Sequence, residues 1–461
     1  MVSGILLVAK IWSTFDNKNL LEQIKANNEI IFVTRNNPTT YYEKADGAGG
    51  LEFELAKMFA DELGVKLTLV IPESLNDLLL QVKNGNAHIA AAGLTITKQR
   101  EKQFRFGPAY QEITEQLIYN ASQPHPKSLS TLDDAQIEVV ANSSHAERLR
   151  YLEKLIPSLN WKENFESDSA ELLQLVSEGI IDYTVADSNE VALTQRSLLN
   201  LRIAFDISEP ESLAWALQKS DDNSLLLEVQ KFFKKIKKNG ELNRIIERNY
   251  GHVEAFDYVD TKIFKRHIIT RLPKYLSMFK SAAKKYNMDW RLLAAMGYQE
   301  SHWNPKAISP TGVRGIMMLT QRTAKELGVK NRLDPASSIE GGAKYYNQIF
   351  KRIDPKIPDP DRSWMTMAAY NVGYAHLQGA RKITRLRGKN DNLWYEVKKS
   401  LPLLAQKKWY KKTRYGYARG WEPVQYVENI RSYYDIIKLN DEEENETRTT
   451  PLPFIKIPNS I

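Results

Sequence analysis

Two hydrophobic rhythms divide this chain. Between residues 27 and 200 short apolar runs alternate with amphipathic segments; from Arg271 onward only the helical period remains. Ile30 to Thr34 reads as a strand, and Leu51, Leu55, Met58, Phe59 and Leu63 recur at helical spacing up to Gly64; glycine there is a usual helix terminator. Val65 to Val70 alternates as a strand, Leu75 to Val82 as a helix ending near Gly85, and Ala87 to Ala91 is a short buried run. The style repeats with a strand at Ile137–Val140, helices from about Ala146 and from Ala170 to Gly179, and a strand at Tyr183–Ala186. Strands that alternate with helices predict parallel sheets, here in two α/β lobes with a cleft between them. Leu225 to Tyr250 follows as a basic helical stretch broken at Gly240, and residues 251–268 fit no period.

The second half predicts helices at about Leu272–Tyr286, from Asp289 to Glu300, and at 321–327, 338–352 and 363–371. Near its end Tyr426, Ile430, Tyr433 and Ile437 mark one apolar helical stripe. The fold class is therefore multidomain: a two-lobed α/β domain followed by an all-α domain. The expected boundaries are an N-terminal segment at 1–26, an α/β domain at 27–254, a linker at 255–268, a helical domain at 269–440 and a disordered tail at 441–461. The first twelve residues hold an apolar run of only Ile5 to Ala9, too short to span a bilayer; they read as a remnant of an export signal that starts upstream, or as a disordered end.

Composition sharpens the division. With 461 residues, 42% hydrophobic and 26% charged, the chain is long enough for two or three soluble domains. Its net charge of +8 conceals an asymmetry: residues 1–260 carry −11, residues 261–440 carry +22 and the tail −3. The basic half favours a polyanion, whether nucleic acid, an anionic membrane surface or an acidic wall polymer. The absence of cysteine excludes disulfides, thiolate metal sites, a cysteine nucleophile and a lipid-modified cysteine anchor within these residues. The seven histidines show no ligand spacing, so no metal and no cofactor is expected. No phosphate-binding loop or serine-hydrolase elbow appears, and no nucleic-acid-binding motif accompanies the charge.

Gly93-Leu94-Thr95-Ile96-Thr97-Lys98-Gln99-Arg100, continuing to Phe106-Gly107-Pro108-Ala109-Tyr110, resembles the ligand segment of amino-acid-type periplasmic solute-binding proteins. The resemblance spans roughly residues 27–250. It implies that Arg100 forks onto a ligand carboxylate, a task suited to a planar guanidinium, while Thr95 assists and Asp187 receives an ammonium. Asn142-Ser143-Ser144 would add polar donors. Two plainer readings stand beside this one: a docking module without ligand, and Asp187 as the N-cap of a helix starting at Ser188.

Glu300 is the candidate acid of the second half. Helical counting places it with Gly297, Met296 and Leu293 on an apolar face, where poor solvation raises a carboxyl pKa toward the range of a general acid. The plain alternative is a glutamate ending a helix at the surface. Glu300-Ser301, Gly315-Ile316-Met317-Met318, Ala369-Tyr370-Asn371 and Tyr426-Val427-Glu428-Asn429, in this order, resemble the lysozyme-like domain of lytic murein transglycosylases. Many relatives end the glycine motif in glutamine; Met318 stands there instead, so no polar substrate role falls to it. The resemblance implies a single-acid mechanism in which Glu300 protonates the glycosidic oxygen and then accepts the proton of the muramoyl C6 hydroxyl, closing a 1,6-anhydro ring. Ser301, Asn371, Tyr426 and Met317 would contact or position the substrate. Equally open are Ser301 as a helix-end hydroxyl, Asn371 as a C-cap before Gly373, and Tyr426 as core.

The expected partners are peptidoglycan glycan strands and a peptide or muropeptide effector for the first domain, with no nucleic acid. The expected location is the periplasm, with peripheral attachment to the inner face of the outer membrane. A murein-binding sensor with a degenerate lysozyme-like domain is the alternative.

Overall fold

The structure, a computed structural model, describes residues 18–44, 47–132, 136–195, 198–251, 258–309 and 312–449. The chain forms two compact units that meet in sequence between Ile245 and Ile246.

The first unit contains two five-stranded sheets. One runs Lys66–Val70, Glu29–Val33, Ile89–Ala90, Ala216–Gln218, Phe104–Phe106; the other runs Trp161–Asn164, Ile137–Val140, Tyr183–Asp187, Glu115–Asn120, Leu201–Asp206. The helices Leu51–Leu63, Leu75–Lys83, Ser144–Glu153 and Ser169–Glu178 lie close to their predicted positions. Gly64 and Gly179 close two of them in the left-handed conformation, with φ of 70° and 74°.

The sheets are mixed, which corrects the parallel reading. Each contains one strand antiparallel to both neighbours, Ala216–Gln218 in the first lobe and Glu115–Asn120 in the second. Both are reached on a passage between lobes, and no helical crossover precedes them to set a parallel direction. The two passages pair with each other through Gln111–Ile113 and Glu211–Leu213. An apolar run specifies burial and leaves direction to the connection, so the sequence rhythm could not distinguish these strands.

The second unit is helical. Leu293 to Tyr298 are all buried, so the Trp290–Ser301 helix is enclosed on every side. Leu276–Tyr286 and the long Trp421–Thr449 helix pack against it, while Pro335–Arg352 and Asp361–Val372 extend the bundle. Asp289 and Asp334 cap their helices by accepting from Arg291 N and Ser337 N.

Three expected boundaries change. Residues 258–270, assigned largely to the linker, form the Tyr258–Thr270 helix, and Phe264 is buried in the helical core. The tail prediction fails over residues 441–449, which continue the last helix. In the N-terminal segment, Leu20–Asn27 is a helix with an Asn19–Glu22 capping box. Residues 1–17 and 450–461 lie outside the described residues, so the remnant and the remainder of the tail do too. Two helices, Tyr374–Leu386 and Trp394–Ser400, were absent from the sequence reading. Arg381 is buried and bonds the Asp391 carbonyl and the Asn392 side chain.

Gly315 holds the motif loop against its neighbours. Its φ is +96°, and an added Cβ would lie 2.2 Å from the Arg332 carbonyl oxygen. Gly315→Ala is expected to lower stability by about 1–3 kcal/mol, read as a reduced melting temperature; an unchanged transition would show that this loop yields freely.

Candidate active site

Glu300 sits in the last turn of the enclosed helix. The chain stops there because His302 and Trp303 adopt left-handed backbone, with φ of 52° and 54°, and the Trp303 indole returns to donate to Ala294 O at 2.8 Å. Pro305 lies beyond this stop. His302 is exposed and its ring stacks on Tyr298 at 4.8 Å between centroids, in keeping with a packing role.

The Glu300 carboxyl is partly buried and accepts one hydrogen bond from the Tyr426 hydroxyl, at 2.6 Å to Oε1. Burial disfavours its charged form and the Tyr426 bond favours it; burial wins, and the pKa rises to about 7. The +22 of the surrounding sequence does not reverse this. Two other acids of the helical unit are engaged elsewhere: Asp334 caps a helix, and Glu340 is exposed and pairs with Lys285.

The other sequence-predicted residues divide into two sets. Tyr426 is buried and points its hydroxyl at the acid. Asn371 is exposed on the helix that also carries Tyr370, two residues before the Gly373 cap. Met317 and Ser301 lie underneath. Met317 has no exposure, and its side chain meets the positions where Cβ atoms on Gly297 and Gly342 would sit. This corrects its assignment to substrate contact: Met317 is the floor that two glycines make room for. The Ser301 hydroxyl donates to Ile316 O at 2.8 Å, with Gly297 O at 3.3 Å, and receives Asn304 N. It ties the Trp290–Ser301 helix to the glycine loop.

Sequence reasoning missed Tyr370. Its hydroxyl lies 3.3 Å from the Met317 carbonyl oxygen, and its pKa is driven up by burial and then by the Glu300 charge. Its place inside the Ala369-Tyr370-Asn371 motif was the available signal.

In the first unit, a cavity of about 160 Å³ is lined by residues that include Arg100, Asn142, Glu147 and Arg150, so two expected binding segments share one recess. Arg100 is buried, donates through Nη1 to Thr95 O at 3.1 Å, and keeps its Nε without a partner. Thr95 is buried beside it. Glu52 pins this segment by accepting from Gly93 N at 2.8 Å and from the Trp215 indole at 2.7 Å. Asp187 stands at the N-cap position of Ser188–Thr194 but makes no side-chain cap bond; its carboxylate lies 2.9 Å from His145 Nε2. His145 and, beside it, Glu115 were not foreseen, because residues from separate strands and helices form no sequence motif.

The comparisons agree with this geometry. Residues 30–252 match the family of bacterial extracellular solute-binding proteins, family 3, and residues 277–393 match the transglycosylase SLT domain. Membrane-bound lytic murein transglycosylase F 1 of Alkalilimnicola ehrlichii is 46% identical over 448 residues, covering 95% of this chain and 91% of that protein. Membrane-bound lytic murein transglycosylase F of Pseudomonas fluorescens is 48% identical, covering 92% and 87%. The chain belongs to the membrane-bound lytic murein transglycosylase F family. Among solved structures, an ancestral amino acid-binding protein is 24% identical with a TM-score of 0.45, over 50% of this chain and 100% of that one. The family assignment agrees with the two-domain order, the α/β first domain and the helical second domain. Among the described residues no helix is long and apolar enough to cross a membrane.

Two outcomes follow from the Glu300 environment. Tyr426→Phe removes the bond that favours the carboxylate, so the Glu300 pKa should rise above about 7 and the alkaline limb of the pH–rate profile should move upward; the lost bond should also cost about tenfold in rate. A raised carboxyl pKa stabilises the fold most below the unfolded value and progressively less as pH rises toward the folded one. Glu300→Gln should therefore melt higher than the parent at pH 8, by up to about 3 kcal/mol, with the difference vanishing near pH 4. Equal melting curves at pH 8 would contradict the buried acid.

Proposed function

We propose that this protein is a peptidoglycan lytic transglycosylase that cleaves the β-1,4 bond between MurNAc and GlcNAc and leaves 1,6-anhydromuramoyl ends. The observation that carries the chemistry is the half-buried Glu300 carboxyl, whose pKa is raised to about 7. Protonated Glu300 donates its proton to the bridging O4 as the C1–O4 bond breaks. Cationic character at C1 is stabilised by the substrate's own N-acetyl oxygen, the substrate-assisted alternative to a second carboxylate. The Glu300 carboxylate then takes the C6 hydroxyl proton as O6 bonds to C1. The proton count closes on Glu300, no water is consumed, and the acid is regenerated. Tyr426 holds the carboxyl in place, and exposed Asn371 is available to substrate amides.

Around the glycine loop, a recess of about 620 Å³ is lined by Gly312, Arg314, Lys325, Lys330 and Arg332 among others. This basic lining suits a polymer bearing carboxylates. Such a substrate lies in the periplasm, and the family name supports membrane association, for which we favour peripheral attachment at the inner face of the outer membrane. The first domain recognises a peptide stem or released muropeptide through Arg100 and Thr95, and influences the enzyme only if that ligand favours one conformational state over another.

Digestion of purified murein followed by mass analysis tests the reaction. Products lighter than hydrolytic ends by one water support the transglycosylase, whereas reducing ends identify a hydrolase. Glu300→Gln should lose at least a thousandfold in rate while remaining folded; persistent activity would remove Glu300 from the scheme. Calorimetry with muropeptides should show heat that Arg100→Ala abolishes, and equal heats from both proteins would sink the cleft assignment.

A further inference from the structure

We propose that Glu115, His145 and Asp187, in the second lobe of the first unit, form a binding site for one divalent transition-metal ion. This inference is independent of the reaction assigned to the helical unit.

The site begins with a conflict in the sheet. Glu115 opens one strand and Asp187 ends its antiparallel neighbour, and the two are register partners. Both are buried, with 0% and 5% exposure. Carboxylates directly opposite one another on paired strands repel, and burial strengthens the repulsion. A proton on the pair, or a cation between the two, relieves that repulsion. Arg148 answers part of this need, with Nε 3.3 Å from Glu115 Oε2, but its other end pairs with Glu211. Glu115 Oε1 is left buried without a hydrogen bond.

That free oxygen faces His145. The imidazole Nε2 lies 2.9 Å from Asp187 Oδ1 and 4.0 Å from Glu115 Oε1, and the three donor atoms all lie within 4.8 Å of one another. Zinc bonds to nitrogen and oxygen of roughly 2.0–2.2 Å set tetrahedral donors roughly 3.3 Å apart, a spacing that falls between the 2.9 Å and 4.0 Å separations seen here. His145 and Asp187 share a hydrogen bond; an ion would take its place and satisfy Glu115 Oε1 as well. Imidazole with two carboxylates suits Zn²⁺ or Mn²⁺, and three protein donors leave a position open for water or a ligand oxygen. Glu190 adds negative potential at His145, and Glu211 interacts with both Glu115 and His145.

The sequence-based expectation of no metal rested on spacing. These ligands stand 30 and 42 residues apart, on two strands and the first turn of a helix.

The test uses the full chain after chelator treatment. Equilibrium dialysis and calorimetry with Zn²⁺ and with Mn²⁺ should show one equivalent bound by at least one of the ions. His145→Gln and Asp187→Asn should each weaken that binding at least tenfold, while His125→Gln, at an exposed histidine, should leave it unchanged. The bound ion should raise the melting temperature of the parent and not of the two variants. Should the variants fail to fold, Co²⁺ added to the parent decides: intense visible bands of low-coordinate nitrogen and oxygen ligation support the site, and the spectrum of the hydrated ion overturns it. Binding of neither Zn²⁺ nor Mn²⁺, or equal affinity in His145→Gln, would also overturn it.

Discussion

A carboxyl group that remains protonated near neutrality must be kept from water, and the helical unit is organised by that requirement. Glu300 ends a helix buried all round, so the acid inherits its dry surroundings from the packing of Leu293 to Tyr298. The enclosure depends on close approach. Gly297 and Gly342 leave room for Met317, and Gly315 turns the loop where any side chain would strike Arg332. Ser301 then fastens that loop to the helix. Motif residues that sequence reasoning would send to the substrate are spent on holding the acid in its pocket.

The half-buried acid was legible in the sequence because its signal is local. Helical counting put Glu300 on an apolar face, and the capping aspartates and Gly64, Gly179 and Gly373 fixed helix ends without reference to tertiary structure. Depth was harder to read. Met317 and Ser301 share motifs with less buried groups, yet periodicity reports a face and not how far below the surface an atom lies. The missed helix Tyr374–Leu386 has a similar cause: its basic residues mimic a solvated face, while Arg381 turns inward to Asp391 and Asn392.

In the first unit the sequence revealed one charged partner at a time, and the fold assembled several. Arg100 and Asp187 were foreseen as opposite poles for a zwitterion. Asp187 instead engages His145, with Glu115 alongside, so a free ammonium would have to compete with a side chain already present. Such competition raises the cost of binding a simple amino acid and favours ligands that bring other groups to this end of the cleft.

The reversed strand in each sheet bears on biosynthesis. Ala216–Gln218 lies between Ile89–Ala90 and Phe104–Phe106, yet it leaves the ribosome only after the whole of the other lobe. Until then the first sheet has an unfilled slot in its middle, with exposed backbone donors and acceptors on either side. At roughly 5–20 residues per second, that gap stays open for on the order of ten seconds. The nascent protein thus presents a template for strand addition at its hydrophobic centre, and the chain itself must deliver the correct strand before another does.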